Sequence, residues 1–350
     1  MSDLRVSAAL LREFCRDVFV RCGLTAPEAV TTADNLLFAN LRGVDSHGVI
    51  RLKVYCDRLR AGSFKRDAKP QWISESPSTA LLDGQAGMGA VVGQAAMAVA
   101  LAKASASGLG YVAVRNSNHF GACAFYALQA VERGCIGFAA TNAGPSMAPS
   151  GGCERRLGNN AFGFAIPAGR HAPIVLDMAT GAVAWGKIFL AQQEKKKIPV
   201  TWALDKYGVP TDDPDVAAQG GLIQPMAGYK GYGLCLLIDL LTGVLAGGAF
   251  ANQVRTLYDK IGDPTEVAHC FGALRIASFM PENEFLERVD LLIDLMHQCP
   301  AAPGVESILV PGEIEHATAQ RRSREGIPIN ATLAKELREL AVELNLPAPF

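Results

Sequence analysis

The spacing of apolar residues divides the chain into helical ends and a strand-rich middle. Near the N-terminus apolar residues recur at helical spacing up to Gly23, and a second helix begins at a capping box at 25–28 and ends at Gly43. From about residue 76, short β-rich runs alternate with alanine- and glycine-rich helical segments. We predict strands at 78–84, 111–116, 136–142, 162–167, 173–178 and 269–280, and helices near 90–107, 121–133, 182–194, 233–246, 282–298, 313–325 and 331–344.

This order of elements favours an α/β (α+β) fold in two parts. A chain of 350 residues exceeds the usual size of one compact core. Because helices bracket the strands, we predict a discontinuous helical domain, 1–75 and 300–350, around an inserted α/β domain, 76–299. The segment 233–250 is apolar and nearly long enough to span a membrane, but Asp239 interrupts it. We predict that it is a buried core helix.

Composition narrows the functional classes. Charged residues make up 19% of the chain and the formal net charge is −1, so the basic excess of a nucleic-acid-binding protein is missing. The nine cysteines form no Cys-x-x-Cys pair and are scattered through apolar segments, which argues against structural zinc and a disulfide framework. The charged N-terminal segment lacks the uninterrupted apolar stretch of a signal peptide. We expect a cytoplasmic enzyme without a metal site that binds neither nucleic acid nor membrane.

The segment RGVDSHGVIR, residues 42–51, places an acid or base beside a possible carboxylate clamp. His47 can exchange a proton near neutral pH. Arg51 can hold a carboxylate through a two-pronged hydrogen bond. This pair suits reduction of a 2-oxo acid or oxidation of a 2-hydroxy acid. Taken alone, the segment is better explained as a polar helix–loop junction with a capping histidine, but the rest of the chain reverses that order.

A Rossmann dinucleotide site is not expected. The segment DGQAGMGAVVG, 83–93, lies between a strand and a helix, but its glycines run Gly-x-x-Gly-x-Gly and the next strand ends in Asn116, which is not acidic. Three other segments could bind an anion. Two of them follow strand ends, and the third has glycines around Lys230 before a helix, so that backbone N–H donors and a cation could meet there. The three segments are NSNHFGA (116–122), PIVLDMATG (173–181) and PMAGYKGYGL (225–234). A plain glycine-rich turn explains the last equally well.

Taken together, these motifs resemble the malate/L-lactate dehydrogenase family. The segments RGVDSHGVIR, NSNHFGA, GG-x-x-x-x-LG-x-N, IVLDMAT, P-x-x-GYKGYGL and VPGE occur in that family's order, and the similarity covers about residues 5–345. The resemblance implies an oxidoreductase that uses NAD or NADP bound outside a Rossmann fold. It also implies a largely antiparallel sheet domain and, usually, a homodimer.

The resemblance further implies roles for individual residues. His47 would donate a proton to the substrate oxygen during reduction, and His119 would be the second imidazole of the site, to which some members are assigned their base. Arg51 would hold the substrate carboxylate, with Ser46 nearby. The positions that match cofactor-binding residues of the family are Asn142, Pro173, Ile174, Val175, Leu176, Asp177, Met178, Ala179, Tyr229, Lys230, Gly312, Glu313 and Ile314.

We therefore predict reversible hydride transfer between nicotinamide and C2 of a small 2-hydroxy or 2-oxo acid of the malate, lactate or ureidoglycolate type. A cyclic imino-acid reductase of the same family, acting on piperideine- or pyrroline-2-carboxylate, is the alternative. Relatives commonly read Gly-Thr-Asn-Pro at 158–161 and often serine at Gly181, so neither the substrate nor the choice between NAD and NADP transfers, and a cofactor-binding protein without activity stays open. A serine hydrolase using Ser46 and His47 is disfavoured because no Gly-x-Ser-x-Gly elbow exists. No obvious exposed apolar helix face decides the oligomeric state.

Overall fold

The computed structural model describes residues 4–350, and strands occur along the whole of this range. They are β1 (Leu4–Val6), β2 (Gln71–Glu75), β3 (Thr79–Asp83), β4 (Leu109–Ser117), β5 (Cys135–Thr141), β6 (Ala161–Ile166), β7 (Ile174–Ala179), β8 (Ala203–Leu204), β9 (Pro210–Thr211), β10 (Leu222–Ile223), β11 (Val267–Arg275) and β12 (Ile327–Ile329). The helices are α1 (Ala8–Arg21), α2 (Ala26–Leu41), α3 (Leu52–Ala61), α4 (Gly89–Ser107), α5 (Ala124–Val131), α6 (Trp185–Gln193), α7 (Pro214–Ala218), α8 (Tyr229–Asp239), α9 (Glu282–His297), α10 (Glu313–Glu325) and α11 (Ala331–Leu344).

A seven-stranded sheet with the order β2-β3-β4-β11-β5-β6-β7 organises the middle of the chain. Every neighbouring pair is antiparallel except β3 and β4, which are parallel and joined by the crossover helix α4. Helices α4 and α5 cover one face, where Ala139 and Phe271 are buried, and α8 covers the other, where Ala140 and Cys270 are buried. The prediction of a largely antiparallel α/β sheet unit is confirmed.

The two ends of the chain form a second core. Helices α1, α2, α3 and α11 bury apolar residues against one another, and β1 pairs with β12 so that the N- and C-terminal segments are joined. Capping residues set the helix starts: the capping box of Thr25 and Glu28 opens α2, and Asn330 caps α11. The domain limits at 75/76 and 299/300 stay a prediction, although β2 already belongs to the sheet. The short strands β8–β10 form a separate small sheet.

Most predicted elements lie within a few residues of the observed ones, but the segment at 233–250 differs. Its α-helix starts earlier, at Tyr229, and ends in a π-helical turn, Leu240–Val244. Only one side, which includes Cys235 and Ile238, packs on the protein, while Leu245 on the other side is 58% exposed. The prediction of a buried core helix is therefore wrong, because an all-apolar sequence does not reveal that one face lacks a partner.

Within residues 4–350, one helix is long and apolar enough by composition to cross a membrane. It is α4, and half of its most apolar window is buried inside the protein. It packs against β4 and β11 of the central sheet.

Candidate active site

The loop that carries the predicted catalytic residues is held from two sides. Gly43, with φ of 82°, ends α2 and turns the chain into two short 3-10 turns that precede α3. The Asn40 side-chain oxygen accepts from the backbone N–H of Val49 at 2.8 Å, and its amide donates to Asp45 at 2.6 Å. Arg322 of α10 binds both carboxylate oxygens of Asp45, at 2.6 and 2.9 Å. The loop is thus fixed between the two ends of the chain.

The four predicted catalytic residues lie together. The rings of His47 and His119 stack with centroids 5.5 Å apart and planes inclined by 21°. Ser46 Oγ lies 3.0 Å from His47 Nδ1, and Arg51 Nε donates to the Ser46 carbonyl at 2.7 Å. The fold therefore brings His119, which follows strand β4, to a loop far away in sequence.

Both imidazoles are held neutral. Burial and the positive charge of Arg51 lower the pKa of His47 to about 4. Burial, together with the nearby His47, Arg51 and His269, lowers the pKa of His119 well below its usual value. Both rings are nevertheless partly accessible to solvent. Near neutral pH the site therefore presents two uncharged bases beside a guanidinium.

Tyr55 is a site residue that the sequence reasoning missed. Its hydroxyl lies 2.6 Å from His119 Nδ1, and its side chain is buried. Burial raises the pKa of Tyr55, so the hydroxyl stays protonated and has a proton to donate to Nδ1. This hydrogen bond favours the tautomer of His119 that carries its proton on Nε2. Tyr55 stands one helical turn after Arg51, and that spacing was the signal that could have identified it.

Tyr258 is a second missed residue. Arg51 Nη1 donates a hydrogen bond to its hydroxyl, and the Arg51 guanidinium carbon lies 5.4 Å from the centre of its ring. Tyr258 comes from the loop that precedes β11, and no local sequence pattern links it to Arg51.

His269 packs against residues next to the His119 loop. It is fully buried, stacks on Phe120 at 4.3 Å, and lies 2.9 Å from Thr141 Oγ1 and 3.0 Å from Ser117 Oγ. Burial lowers its pKa to about 3. These contacts indicate a structural role for His269. The other three histidines, His171, His297 and His316, lie at hydrogen-bond distance from Asp294, Glu313 and Gln320.

Three of the stretches that hold predicted cofactor residues, 173–179, 229–230 and 312–314, lie at or near edge strand β7. The Val175 N–H donates to the Pro311 carbonyl at 2.9 Å, and Gly312 packs so closely on Val175 that a Cβ there would lie 2.8 Å from it. At the end of the strand, the Met226 N–H donates to the Thr180 carbonyl at 2.9 Å. Segments 173–179, 225–230 and 312–314 are therefore neighbours in space.

The start of α8 fits an anionic group. Gly228, with φ of 65°, precedes the helix, and a Cβ there would meet nothing within 4 Å. Tyr229 and Lys230 are exposed, as is Ile314. An exposed ammonium beside the first N–H groups of a helix suits the phosphates of a dinucleotide.

Three predicted cofactor residues have polar atoms that already bond to other groups of the protein. The Asn142 amide donates to Asp239 at 3.2 Å and to a backbone carbonyl. Glu313 accepts from the Val310 N–H at 2.8 Å, and Asp177 accepts from the Ala124 N–H at 2.8 Å. The last bond ties β7 to the helix that follows the His119 loop. The cofactor contacts of all thirteen residues stay a prediction.

The glycine-rich segment before α4 has a packing function. A Cβ on Gly89 would lie 2.2 Å from the Asn118 carbonyl oxygen and 2.4 Å from that of His119. The His119 loop thus covers the start of α4, where a Rossmann protein would bind phosphate.

Comparison with known proteins identifies the family. The profile of the malate/L-lactate dehydrogenase family matches residues 6–338. Malate dehydrogenase of Pyrococcus horikoshii is 39% identical over 345 residues, which are 97% of this chain and 95% of that protein. The NAD(+) ureidoglycolate dehydrogenase of Escherichia coli K12 is 31% identical over 326 residues, which are 93% of each protein.

A solved structure gives the same answer for the fold. Sulfolactate dehydrogenase from Methanocaldococcus jannaschii superposes with a TM-score of 0.93 at 37% identity, over 99% of this chain and 98% of that one. The resemblance inferred from the motifs is confirmed. The chain belongs to the malate/L-lactate dehydrogenase family.

Proposed function

We propose that this protein is an NAD(P)-dependent dehydrogenase that interconverts a small 2-hydroxy acid and the matching 2-oxo acid. One observation carries the proposal: the Arg51 guanidinium lies beside two stacked, neutral imidazoles, His47 and His119. A cation beside a proton-exchanging group is what a substrate with a carboxylate next to a reacting C–OH requires. The names of the relatives include malate, sulfolactate and ureidoglycolate, and each of these compounds has a carboxylate next to a C–OH group.

Each residue then has a defined task. Arg51 would bind the substrate carboxylate, and Lys230 with the start of α8, together with β7 and segment 312–314, would hold the nucleotide. A bound nicotinamide supplies or accepts the hydride at substrate C2.

The proton chemistry follows from the low pKa of His47. Ser46 lies at Nδ1, which leaves Nε2 for the substrate oxygen. During oxidation, the neutral ring accepts the hydroxyl proton at Nε2. During reduction the ring must first be protonated. Burial is the main cause of the low pKa of His47 and the charge of Arg51 adds to it; a substrate carboxylate bound to Arg51 offsets this second contribution and so favours proton uptake.

We also propose a homodimer in the cytoplasm, with no nucleic-acid or membrane partner. Six apolar residues along α8 and its π-helical turn are exposed and recur every fourth position, so they form one stripe: Leu236, Leu237, Leu240, Leu241, Val244 and Leu245. A contiguous apolar stripe of this kind is typical of an interface. All nine cysteines are free and seven are buried, as in a reducing compartment. Leu241→Glu should convert a dimer to a monomer in sedimentation velocity, and an unchanged mass would contradict the interface.

The test of the activity is oxidation of NADH and NADPH with pyruvate, oxaloacetate, sulfopyruvate and piperideine-2-carboxylate. We expect turnover of a 2-oxo acid, loss of activity in His47→Ala and a raised KM in Arg51→Ala. His316→Ala, at an exposed position paired with Gln320, is the matched control and should stay active. Turnover of the imine alone would favour the alternative reductase. No oxidation with any acceptor would contradict the proposal.

A further inference from the structure

Arg58 of α3 makes an unusual set of hydrogen bonds. Its side chain is fully buried, and its guanidinium donates to five backbone carbonyls of a single loop. Ser63 Oγ lies 3.4 Å from Nη1 as a sixth acceptor, so each of the five N–H donors of the arginine has a partner. The carbonyl acceptors are Leu257 at 2.8 Å from Nε, Asp263 at 2.8 Å and Ile261 at 3.4 Å from Nη1, and Asp259 at 2.7 Å and Thr256 at 3.1 Å from Nη2.

A buried charge of this kind is costly unless its donors are satisfied. Here backbone carbonyls satisfy them, and Phe64 stacks against the guanidinium with its ring centre 5.6 Å from the guanidinium carbon. Lysine has three donors on a single nitrogen and cannot reach carbonyls spread around a planar fork. The loop 256–263 is therefore fastened to α3 by a contact that only arginine can make.

The same loop presents Tyr258 to the active site. Tyr258 stands between Leu257 and Asp259, two of the residues whose carbonyls Arg58 binds. Its side chain is 63% exposed, and its hydroxyl accepts from Arg51 Nη1. Arg51 itself immediately precedes α3. One helix thus carries the carboxylate clamp at its start and, two turns later, the anchor of the loop that contacts that clamp.

We propose that Arg58 is a positioning residue for substrate binding: it holds the 256–263 loop so that Tyr258 fixes the orientation of the Arg51 guanidinium. The proposal rests on the proposed role of Arg51. Without Tyr258 in place, Arg51 keeps only its bond to the Ser46 carbonyl, and the long side chain must be ordered when the substrate arrives. The cost falls on substrate affinity and leaves the nucleotide site, at β7 and α8, untouched.

The test is a double-mutant cycle with Arg58→Lys, Tyr258→Phe and the double variant. We expect Arg58→Lys to raise KM for the 2-oxo acid about 5- to 30-fold, with kcat changed less than about threefold and the Kd of NADH unchanged. Tyr258→Phe should raise KM about 3- to 10-fold, and the double variant should be no worse than Arg58→Lys alone, since both act through one contact.

Two controls separate positioning from general destabilisation. Arg60→Lys on the same helix changes an exposed arginine paired with Glu343 and should leave KM unchanged. Tyr207→Phe makes the Tyr258 change at another exposed tyrosine and should also have no effect. Amide hydrogen exchange should rise in 255–264 in Arg58→Lys and stay at the wild-type level in Arg60→Lys.

Several results would overturn the proposal. Additive effects on KM, or a lower melting temperature with an unchanged KM, would make Arg58 purely structural. If Arg58→Lys does not fold, an unchanged KM in Tyr258→Phe is sufficient to reject the idea. Oxamate binding, measured by calorimetry, separates this proposal from the activity: a wild-type protein that neither binds oxamate nor turns over a 2-oxo acid fails at the proposed function, whereas an active protein insensitive to both substitutions fails only here.

Discussion

Replacing Tyr55 with phenylalanine removes one hydroxyl from the active site and keeps the ring that fills the core. The hydroxyl belongs to a buried side chain and lies 2.6 Å from Nδ1 of the part-buried His119 ring. Because the ring is retained, no cavity term is expected. Leaving the part-buried Nδ1 of His119 without its partner costs about 1–2 kcal/mol of unfolding free energy.

The same substitution should affect catalysis through the tautomer of His119. With the hydroxyl gone, the preference for a proton on Nε2 is lost, and about 1.4 kcal/mol corresponds to a tenfold change in the tautomer ratio. We expect kcat for 2-oxo acid reduction to fall about 3- to 10-fold, with the Kd of NADH unchanged. Urea denaturation, read as a shift of the midpoint at constant slope, gives the stability change.

Tyr126→Phe is the matched control. Tyr126 is also a fully buried tyrosine, and its hydroxyl donates to the Phe120 carbonyl at 2.6 Å without touching His47 or His119. It should lose about 1 kcal/mol of stability and keep its kcat. Wild-type stability together with wild-type kcat in Tyr55→Phe would refute the hydrogen bond to His119 and the reasoning built on it.

Three further predictions address the clamp, the buried histidine and the loop packing. Arg51→Lys keeps the charge but loses the two-pronged geometry, so KM for the 2-oxo acid should rise about 10- to 100-fold in steady-state assays while NADH affinity stays constant. Because burial lowers the folded-state pKa of His269 to about 3, below the usual 6.5, the unfolded state binds its proton first as the pH falls. Because of this residue, the free energy of unfolding measured by urea denaturation should fall by about 2 kcal/mol between pH 6.5 and 5. The fall should be smaller in His269→Gln. Gly89→Ala should lower the melting temperature, since its Cβ would lie 2.2 Å from the Asn118 carbonyl, whereas Gly186→Ala, in open space within α6, should not.

Helices and strands were predictable where the sequence shows both a regular apolar pattern and turn or capping residues at its ends. Strands β5, β6 and β7 are apolar runs bounded by turn residues, and each lies within a residue or two of the predicted range. Strand β2 was missed because it is an edge strand exposed along its whole length, so no alternation marks it. The exposed face of α8 was missed because a run of leucines is equally apolar on every side.

The candidate site also contains residues that the sequence predicts and residues that it does not. Ser46, His47 and Arg51 lie close together in sequence, so their chemistry can be inferred from spacing. Tyr258 reaches Arg51 only because Arg58 fastens a distant loop to α3, a contact that no local pattern encodes.

The central claim, hydride transfer to C2 of a 2-oxo acid, is tested most directly by isotope transfer. The protein would be incubated with NADH or NADPH deuterated on either face of nicotinamide C4 and with the 2-oxo acid that supports turnover, and the product examined by mass spectrometry and proton NMR. We predict one deuterium at C2 of the 2-hydroxy acid from one face of the nicotinamide, and no labelled product with His47→Ala. A reduced product without deuterium at C2, or no 2-hydroxy acid at all, would contradict the account.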